Sequence, residues 1–315
     1  MDVSVRQLLD SRLVMVTGKG GTGKTTYAAA LAVVGAAAGK RTVFCEIDTQ
    51  RPSGAAIFDQ PPPFEPAAIS ENLHICNIHW DGALLAYLTR MLPVKRLVRA
   101  VLENNVVQRV IDAAPGTREV VFLSRIGQLV EQYDLVVVDM PASGHAFSML
   151  DILRSALDLF QSGPVRTRAL ELKALFGSEQ TRLAFVAIPE EMVVNETIET
   201  RERMAGAEMF GGAPACFLNR ATLPSLSEDE RALLQRLWNA DLDDVGREYV
   251  RAGQWEDRLE QATAESRDRL AEAFGDAPVM VPPAAAGGVP RQAVTGVAVH
   301  LARQVGIARR DLPWT

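Results

Sequence analysis

An α/β fold with a doubly wound, mostly parallel sheet flanked by helices is predicted by three features of the sequence. Short apolar runs rich in β-branched residues recur along the chain, as is typical of strands covered on both faces. Helical patterns separate these runs, so neighbouring strands are expected to be parallel. Polar residues follow several runs, where a parallel sheet places its ligands. The predicted strands are residues 13–16, 41–47, 134–138, 183–188, 215–218 and 279–281.

The polar residues that follow these strands are the first candidates for a functional site. Asp48, Asp139, Glu190 and Asn219 each stand at or just past the end of an apolar run. In an open α/β sheet, ligands bind beyond the carboxyl ends of the strands. We therefore expect a binding site at this edge of the sheet.

Size and composition limit the classes of protein that fit. The chain has 315 residues, of which 48% are hydrophobic, enough to bury a large core. This length suits one large α/β domain or two small ones, and we expect a single domain, 1–315, with short helical insertions at about 83–130 and 150–180. A third helical block, 227–274, carries charges of both signs and is expected to be a solvated helical face.

The charge and the apolar runs disfavour some partners. The formal net charge of -6 removes the basic surface that nonspecific binding to nucleic acid requires, so no nucleic acid partner is expected. The longest nearly apolar run, 28–39, is too short to cross a bilayer core of about 30 Å, so no transmembrane segment is expected. No export signal is visible, and a cytoplasmic location is predicted. Cys45, Cys76 and Cys216 form no CxxC pair, which argues against a disulfide framework or a four-cysteine zinc site.

A phosphate-binding motif lies between the first predicted strand and the helix after it. The sequence GKGGTGKT, residues 18–25, matches the pattern G-x-x-x-x-G-K-[ST] in the strand–loop–helix context that this motif requires. Glycines let backbone N–H groups wrap phosphate oxygens, and the helix N-terminus adds its positive end. The predicted nucleotide-binding residues of this loop are Gly18, Lys19, Gly20, Gly21, Thr22, Gly23, Lys24, Thr25 and Thr26.

Within this loop, Lys24 is expected to contact the β and γ phosphates, and Thr25 to bind Mg²⁺. Asp139 closes the apolar run LVVVD, as expected of a carboxylate that orients the water shell of the same Mg²⁺. The base is predicted to be adenine. A GTPase of this class would be expected to carry N/T-K-x-D after a late strand, where this sequence has LNRA. The predicted cofactors are therefore ATP and Mg²⁺.

The other lysine of the loop, Lys19, makes the motif resemble that of a known class of ATPases. The string GKGGTGKTT resembles the deviant Walker A motif of the ATPases that include MinD, ParA, the nitrogenase iron protein and the ArsA/GET-type ATPases. The resemblance implies that Lys19 reaches across a nucleotide-sandwiched dimer to the partner's phosphates. Lys19 would then stabilise charge on the transferred phosphoryl group, as an arginine finger supplied in trans does.

Within that class, the chain resembles the ArsA/GET-type family over most of its length, most strongly its short bacterial members known as anion-transporting ATPases. The segment DMPASGHAFSML, 139–150, resembles the family's switch II, with Ala142 and Ser143 as a mild departure from its pattern. FLNR places Asn219 at the family's adenine-contacting asparagine. VMVPP places Pro282 and Pro283 in its adenine loop.

The switch I position departs further from the family. The segment EIDTQRPSGAAIF, 46–58, keeps Asp48, the residue that the resemblance implies positions or activates the attacking water. It replaces the family's proline and histidine, so hydrolysis is expected to be slow or altered. The predicted catalytic residues are Lys19, Lys24 and Asp48, and the predicted metal-site residues are Thr25, Asp48 and Asp139.

The resemblance implies a Mg²⁺-dependent ATPase that works as a nucleotide-driven switch for protein targeting or client handling. The predicted partners are a second copy of the chain or a paralogous ATPase, together with a protein client. A positioning or scaffold ATPase of the MinD/ParA type is one alternative, and an arsenite or anion pump subunit is another. The sequence lacks the CxxC zinc pair of eukaryotic GET-type members and the cysteine trio of ArsA pumps.

Overall fold

The computed structural model describes residues 5–50, 52–91, 116–159, 161–207, 210–283 and 290–313. Over these residues, the strands form one sheet, and helices lie between most of them. The strands are β1 Leu13–Thr17, β2 Thr42–Ile47, β3 Ala67–Ala68, β4 Leu73–Ile78, β5 Leu135–Asp139, β6 Thr181–Ala187, β7 Ala215–Asn219 and β8 Val279–Val281. The helices are α1 Val5–Asp10, α2 Lys24–Ala37, α3 Ser53–Phe58, α4 Trp80–Met91, α5 Thr117–Gln132, α6 Ser143–Leu159, α7 Pro164–Phe176, α8 Glu191–Gly206, α9 Glu228–Trp238, α10 Asp244–Phe274 and α11 Pro290–Gln304, followed by a 3₁₀ turn, Arg309–Asp311.

The sheet confirms the predicted fold class. Its strand order is β3-β4-β2-β5-β1-β6-β7-β8, and each neighbouring pair is parallel except β3 with β4. The central strand β1 lies between β5 and β6, so successive connections turn to opposite sides of it. A doubly wound sheet opens a crevice for ligands where the strand order reverses. The loop after β1 begins at this place.

Two strands, β3 and β4, are absent from the sequence prediction. The sequence pattern did not predict β4, because His74 and Asn77 interrupt the apolar run LHICNI. His74 packs edge-on against Tyr133, with ring centroids 5.3 Å apart, and Asn77 donates its side-chain amide to the Thr49 carbonyl at 2.9 Å. Both polar side chains therefore have tertiary partners that a strand pattern does not reveal.

The core has one layer on each face of the sheet. Successive residues of β1 alternate between these layers, with Leu13 and Met15 in one and Val14 and Val16 in the other. Each of these four side chains is almost fully buried. Because both faces of β1 are covered, the strand reads as a continuous apolar run, as predicted.

The helical segments lie close to the predicted positions. Within the first predicted insertion, α4 and α5 are described, while residues 92–115 lie outside the described part of the chain. The second predicted insertion corresponds to α6 and α7, and the charged block 227–274 corresponds to α9 and α10. Among the described helices, none combines the length and apolarity needed to cross a bilayer.

Candidate nucleotide site

The predicted phosphate-binding loop connects β1 directly to α2, as the motif requires. Gly18 has φ +149°, and a side chain there would meet the Val186 carbonyl oxygen of β6 at 2.3 Å. Gly23, with φ +101°, precedes the first residue of α2, and a side chain there would press against the Asn219 amide at 2.8 Å. Glycine relieves both restrictions, so the loop can pass close to β6 and β7.

Lys24, Thr25 and Asp139 come together beside this loop. The Thr25 hydroxyl donates to Asp139 Oδ2 at 2.5 Å, and the Lys24 ammonium donates to the Lys19 carbonyl at 3.2 Å. Burial lowers the pKa of Lys24, while the charges of Asp139 and Glu196 partly oppose that effect. The tertiary fold therefore brings the motif lysine and hydroxyl next to a carboxylate more than a hundred residues away.

These side chains fit a divalent cation such as Mg²⁺. Asp139 is the last residue of β5, and burial raises its pKa to about 6 against the opposing effects of the Thr25 hydrogen bond and the Lys24 charge. Within the described residues, its Oδ1 atom is buried and has no hydrogen-bond partner. A buried carboxylate oxygen without a partner costs free energy unless a cation or ordered water binds it. Hard oxygen ligands of this kind are those that Mg²⁺ prefers, so Thr25 and Asp139 could hold it.

Lys19 points to a different partner from Lys24. Its ammonium lies 3.3 Å from Glu196 Oε2 on α8, and its side chain is 32% exposed. Its backbone carbonyl accepts hydrogen bonds from the Thr22 hydroxyl at 2.9 Å and from Lys24. The two lysines of the motif thus differ in their contacts. Lys24 donates to a carbonyl of its own loop, whereas Lys19 pairs with Glu196 on α8.

Asp48 follows β2 at the same edge of the sheet. It adopts φ +47°, an uncommon conformation for a non-glycine residue, and its backbone N–H donates to the Ile78 carbonyl at 2.9 Å. Its Oδ2 atom lies 3.6 Å from the Arg118 guanidinium. The backbone around Asp48 is therefore specified by β4, which the sequence prediction lacked.

Two buried polar residues near Asp48 were missed by the sequence analysis. Glu46, 2% exposed, accepts the backbone N–H groups of Ser53 at 2.8 Å and Gly54 at 3.0 Å. Burial raises the pKa of Glu46, although these two N–H groups favour its charged form. Asn77 is the second of these residues, and it binds the Thr49 carbonyl. A charged residue inside the apolar run TVFCEI was the one signal that could have identified Glu46.

Asn219 lies against the phosphate-binding loop. Its Nδ2 atom donates to the Thr22 carbonyl at 2.8 Å, and its Oδ1 atom accepts from the Tyr27 hydroxyl at 3.2 Å and the Arg220 backbone N–H at 2.9 Å. Asn219 is the register partner of Val281 on β8. Asn219 is the last residue of β7, and Pro282 and Pro283 directly follow the last residue of β8. The three predicted adenine-site residues therefore lie at the carboxyl ends of two neighbouring strands. Glu190, in contrast, precedes α8 and carries no site contact among the described residues.

Comparison with known proteins identifies the family. The family model described as Anion-transporting ATPase matches residues 11–163, which include the phosphate-binding loop and Asp139. ATPase BagA of Mycobacterium tuberculosis is 33% identical over 256 residues, which cover 77% of this chain and 73% of that protein. The chain belongs to the ArsA/GET-type ATPase family.

Other members of the family are more distant from this ATPase. A protein named Putative arsenical pump-driving ATPase 2, from Aquifex aeolicus, is 28% identical over 53% of this chain and 58% of its own length. ATPase ASNA1 homolog 1 of Paramecium tetraurelia is 27% identical over 53% of each protein. The predicted resemblance is confirmed, and the chain is an ATP hydrolase.

Proposed function

We propose that this chain is a Mg²⁺-dependent ATPase that hydrolyses ATP in a nucleotide-sandwiched dimer and acts as a nucleotide-driven switch for a protein client. The dimer consists of two copies of the chain or of one copy with a paralogous ATPase. A cytoplasmic location is part of the proposal. Family membership supports the ATPase activity, and the geometry of the loop supports the finer assignments.

The main support for the dimer is that the two lysines of the motif have different partners. Lys24 is bonded within the loop, which supports its proposed contact with the chain's own phosphates together with Thr25. Lys19 is about one-third exposed and paired with Glu196, so its ammonium is available at the surface once that pair opens. A cation delivered from the facing chain stabilises the charge that develops on the transferred phosphoryl group.

In the proposed reaction, Asp48 positions the attacking water, while Asp139 and Thr25 hold Mg²⁺ at the phosphates. The metal would neutralise phosphate charge when it is bound. Asn219, Pro282 and Pro283 are proposed to border the adenine ring. Loss of the γ-phosphate then loosens the dimer, and this change of arrangement is proposed to release a client.

Exposed apolar side chains support the client-handling part of the proposal. Many of the large apolar side chains that are exposed in the described chain lie on α9 and α10, where Tyr249 is 75% and Trp255 is 62% exposed. Trp238 and Val245 are also exposed there. Val245 and Tyr249 lie four residues apart on one face of α10, and contiguous exposed apolar surface is typical of protein contact sites. We expect these residues, in addition to the predicted insertions, to contact the client.

The two alternatives receive less support. The apolar face of the C-terminal helix α11 packs against α2, and it buries Val294, Val297 and Leu301. That helix is therefore not displayed for membrane attachment of the MinD/ParA type. Cys45, Cys76 and Cys216 are buried, so an arsenite site made from their thiols lacks access from solvent.

Mixing two inactive variants tests the proposed dimer. Lys19→Ala and Asp48→Asn should each bind ATP and hydrolyse it only at a low residual rate. A mixed dimer would contain one pocket with an intact Asp48, reached by an intact Lys19 from the other chain. With random pairing, half of the dimers are mixed, so an equimolar mixture should recover about a quarter of the wild-type rate.

Pull-down of one variant through an affinity tag on the other, in the presence of ATP, must show that the mixed dimers form. A mixture that forms dimers and stays as inactive as its components contradicts the action of Lys19 in trans. If the chain alone stays monomeric with ATP, the proposed homodimer is wrong, and the same mixing is then repeated with the paralogous partner. A client is sought by cross-linking with the Asp48→Asn variant in ATP, with Lys24→Ala as the control that binds no nucleotide.

A further inference from the structure

Arg118 stands beside Asp48, although nothing in the motif analysis assigns it a role. It lies in the first turn of α5, after Gly116, which caps the helix. A helix N-terminus favours acidic side chains and disfavours cations. An arginine at this position therefore gains no electrostatic stabilisation from its own helix dipole. Its partners lie in other elements of the fold.

Two contacts hold the Arg118 side chain. One guanidinium nitrogen lies 3.6 Å from Asp48 Oδ2, and the guanidinium carbon lies 5.1 Å from the centre of the Trp80 ring. Trp80 is itself fixed edge-on to Phe122, with ring centroids 6.3 Å apart and planes at 84°. The planar guanidinium thus has an aromatic support and an acidic partner, an arrangement that suits arginine better than lysine.

The backbone next to Arg118 is held against α6, the helix that follows Asp139. A side chain at Gly116 would lie 2.1 Å from the end of the Ile152 side chain, which would have to move to make room for it. Gly116 also has φ +81°, which glycine adopts without strain. The first turn of α5 therefore contacts both the loop that carries Asp48 and the helix after the Mg²⁺-site strand.

The ion pair itself is too exposed to serve mainly the stability of the fold. The Arg118 side chain is 53% exposed and the Asp48 side chain is 42% exposed. Exposed pairs of this kind contribute little to stability. The pair can nevertheless orient the Asp48 side chain, because Arg118 lies next to one of its two carboxylate oxygens. The Asp48 backbone is already held by its hydrogen bond to the Ile78 carbonyl. The proposed reaction assigns the other oxygen to the attacking water.

We propose that Arg118 is a positioning residue for ATP hydrolysis, which orients the Asp48 carboxylate from the first turn of α5. This inference rests on the proposed role of Asp48 in positioning the attacking water. Arg118 acts through Asp48 and does not touch the nucleotide. Its expected signature is a lower kcat with an unchanged affinity for ATP, because misplacing a reacting group by about 1 Å slows turnover by up to about a hundredfold.

The test compares five variants of the full chain in ATP hydrolysis, the first three of them in the steady state. Arg118→Ala should lower kcat about tenfold and leave KM for ATP within about twofold of wild type. Arg118→Lys should recover part of the loss, because it keeps the charge and loses the planar stack on Trp80. The matched control is Arg90→Ala, which removes the ion pair between Arg90 and Glu131 at the other end of α5 and should leave kcat unchanged.

Two further variants, Asp48→Asn alone and Asp48→Asn combined with Arg118→Ala, separate this inference from the proposed function. In an Asp48→Asn background, Arg118→Ala should cause no further fall in the single-turnover rate, since the group that it orients is already lost. An equal fall in both backgrounds would mean that Arg118 acts on the nucleotide directly, which overturns the inference. A wild-type kcat for Arg118→Ala overturns it as well. If Asp48→Asn alone keeps the wild-type rate, the proposed role of Asp48 fails first, and the inference fails with it.

Discussion

The ammonium of Lys19 lies 3.3 Å from the carboxylate of Glu196 in the same chain. This pair joins the phosphate-binding loop to α8, and both side chains are about one-third exposed. A lysine that must reach a facing chain has to leave such a partner first. The pair is therefore a restraint on the proposed dimer, and its strength should influence how easily the dimer forms.

Replacing Glu196 by Gln should favour dimerisation at saturating ATP. Partly exposed ion pairs contribute up to about 1 kcal/mol each, and a homodimer opens two of them, so the dissociation constant of the dimer should fall by up to about thirtyfold. Sedimentation equilibrium measures this constant. Glu199→Gln removes an equal charge from an exposed position on the same helix and should leave the constant unchanged. A weaker dimer for Glu196→Gln would show that Glu196 supports the interface.

Replacing Lys24 by Ala should abolish ATP binding, because it removes the cation placed among Lys19, Thr25 and Asp139. Loss of charge-assisted hydrogen bonds to the phosphates should weaken binding by at least on the order of a hundredfold, so that no binding is detected. Titration calorimetry provides the measurement. Lys173→Ala, a lysine on α7 remote from the loop in the chain, serves as the control and should bind ATP normally. Retained wild-type affinity in Lys24→Ala would refute the phosphate-binding assignment.

The stability of the nucleotide-free protein should depend on the ionisation of Asp139. Its pKa rises from an ordinary 3.8 to about 6 in the folded state, so the folded state favours the protonated form. The resulting stabilisation is fully present below about pH 4 and is lost as the pH rises through about 6. A pKa change of this size corresponds to about 3 kcal/mol.

Urea denaturation of wild type and Asp139→Asn, without Mg²⁺ and nucleotide, measures this effect. Between pH 4 and pH 7, the free energy of unfolding of wild type should fall by about 2.4 kcal/mol relative to that of the variant. Asp81→Asn changes an exposed aspartate of α4 and should follow wild type. Parallel curves for wild type and Asp139→Asn would show that the Asp139 carboxyl titrates normally.

Replacing Asn219 by Ala should weaken the binding of both ATP and inorganic triphosphate. The triphosphate loses affinity because the loop loses the hydrogen bond from Asn219 to the Thr22 carbonyl. ATP should lose more, since the proposed adenine contact disappears too. Calorimetry with both ligands separates the two effects, and Asn239→Ala, at the exposed end of α9, is the control. An equal loss for both ligands would mean that Asn219 braces the loop without contacting the base.

The phosphate-binding loop could be read from the sequence because its parts are contiguous. β1, the glycine-rich loop and α2 follow each other directly, so spacing alone places Lys24 and Thr25 at a helix N-terminus. Asp139 could be predicted as well, since the parallel arrangement brings the end of β5 beside the end of β1. These features depend on local pattern and on one rule of topology.

The surroundings of Asp48 depended on the tertiary structure. Glu46, Asn77 and Arg118 come from β2, β4 and α5, and their side chains meet the Asp48 loop only because these elements are adjacent in the folded sheet and its helical layer. A polar residue in a strand or an arginine in a helix has no distinctive spacing, so no local pattern marks its partner. The sequence by itself determined the family and the fold class, and it predicted the phosphate-binding loop. Only the tertiary structure decided how the loop around Asp48 is held, because long-range contacts between side chains set its geometry.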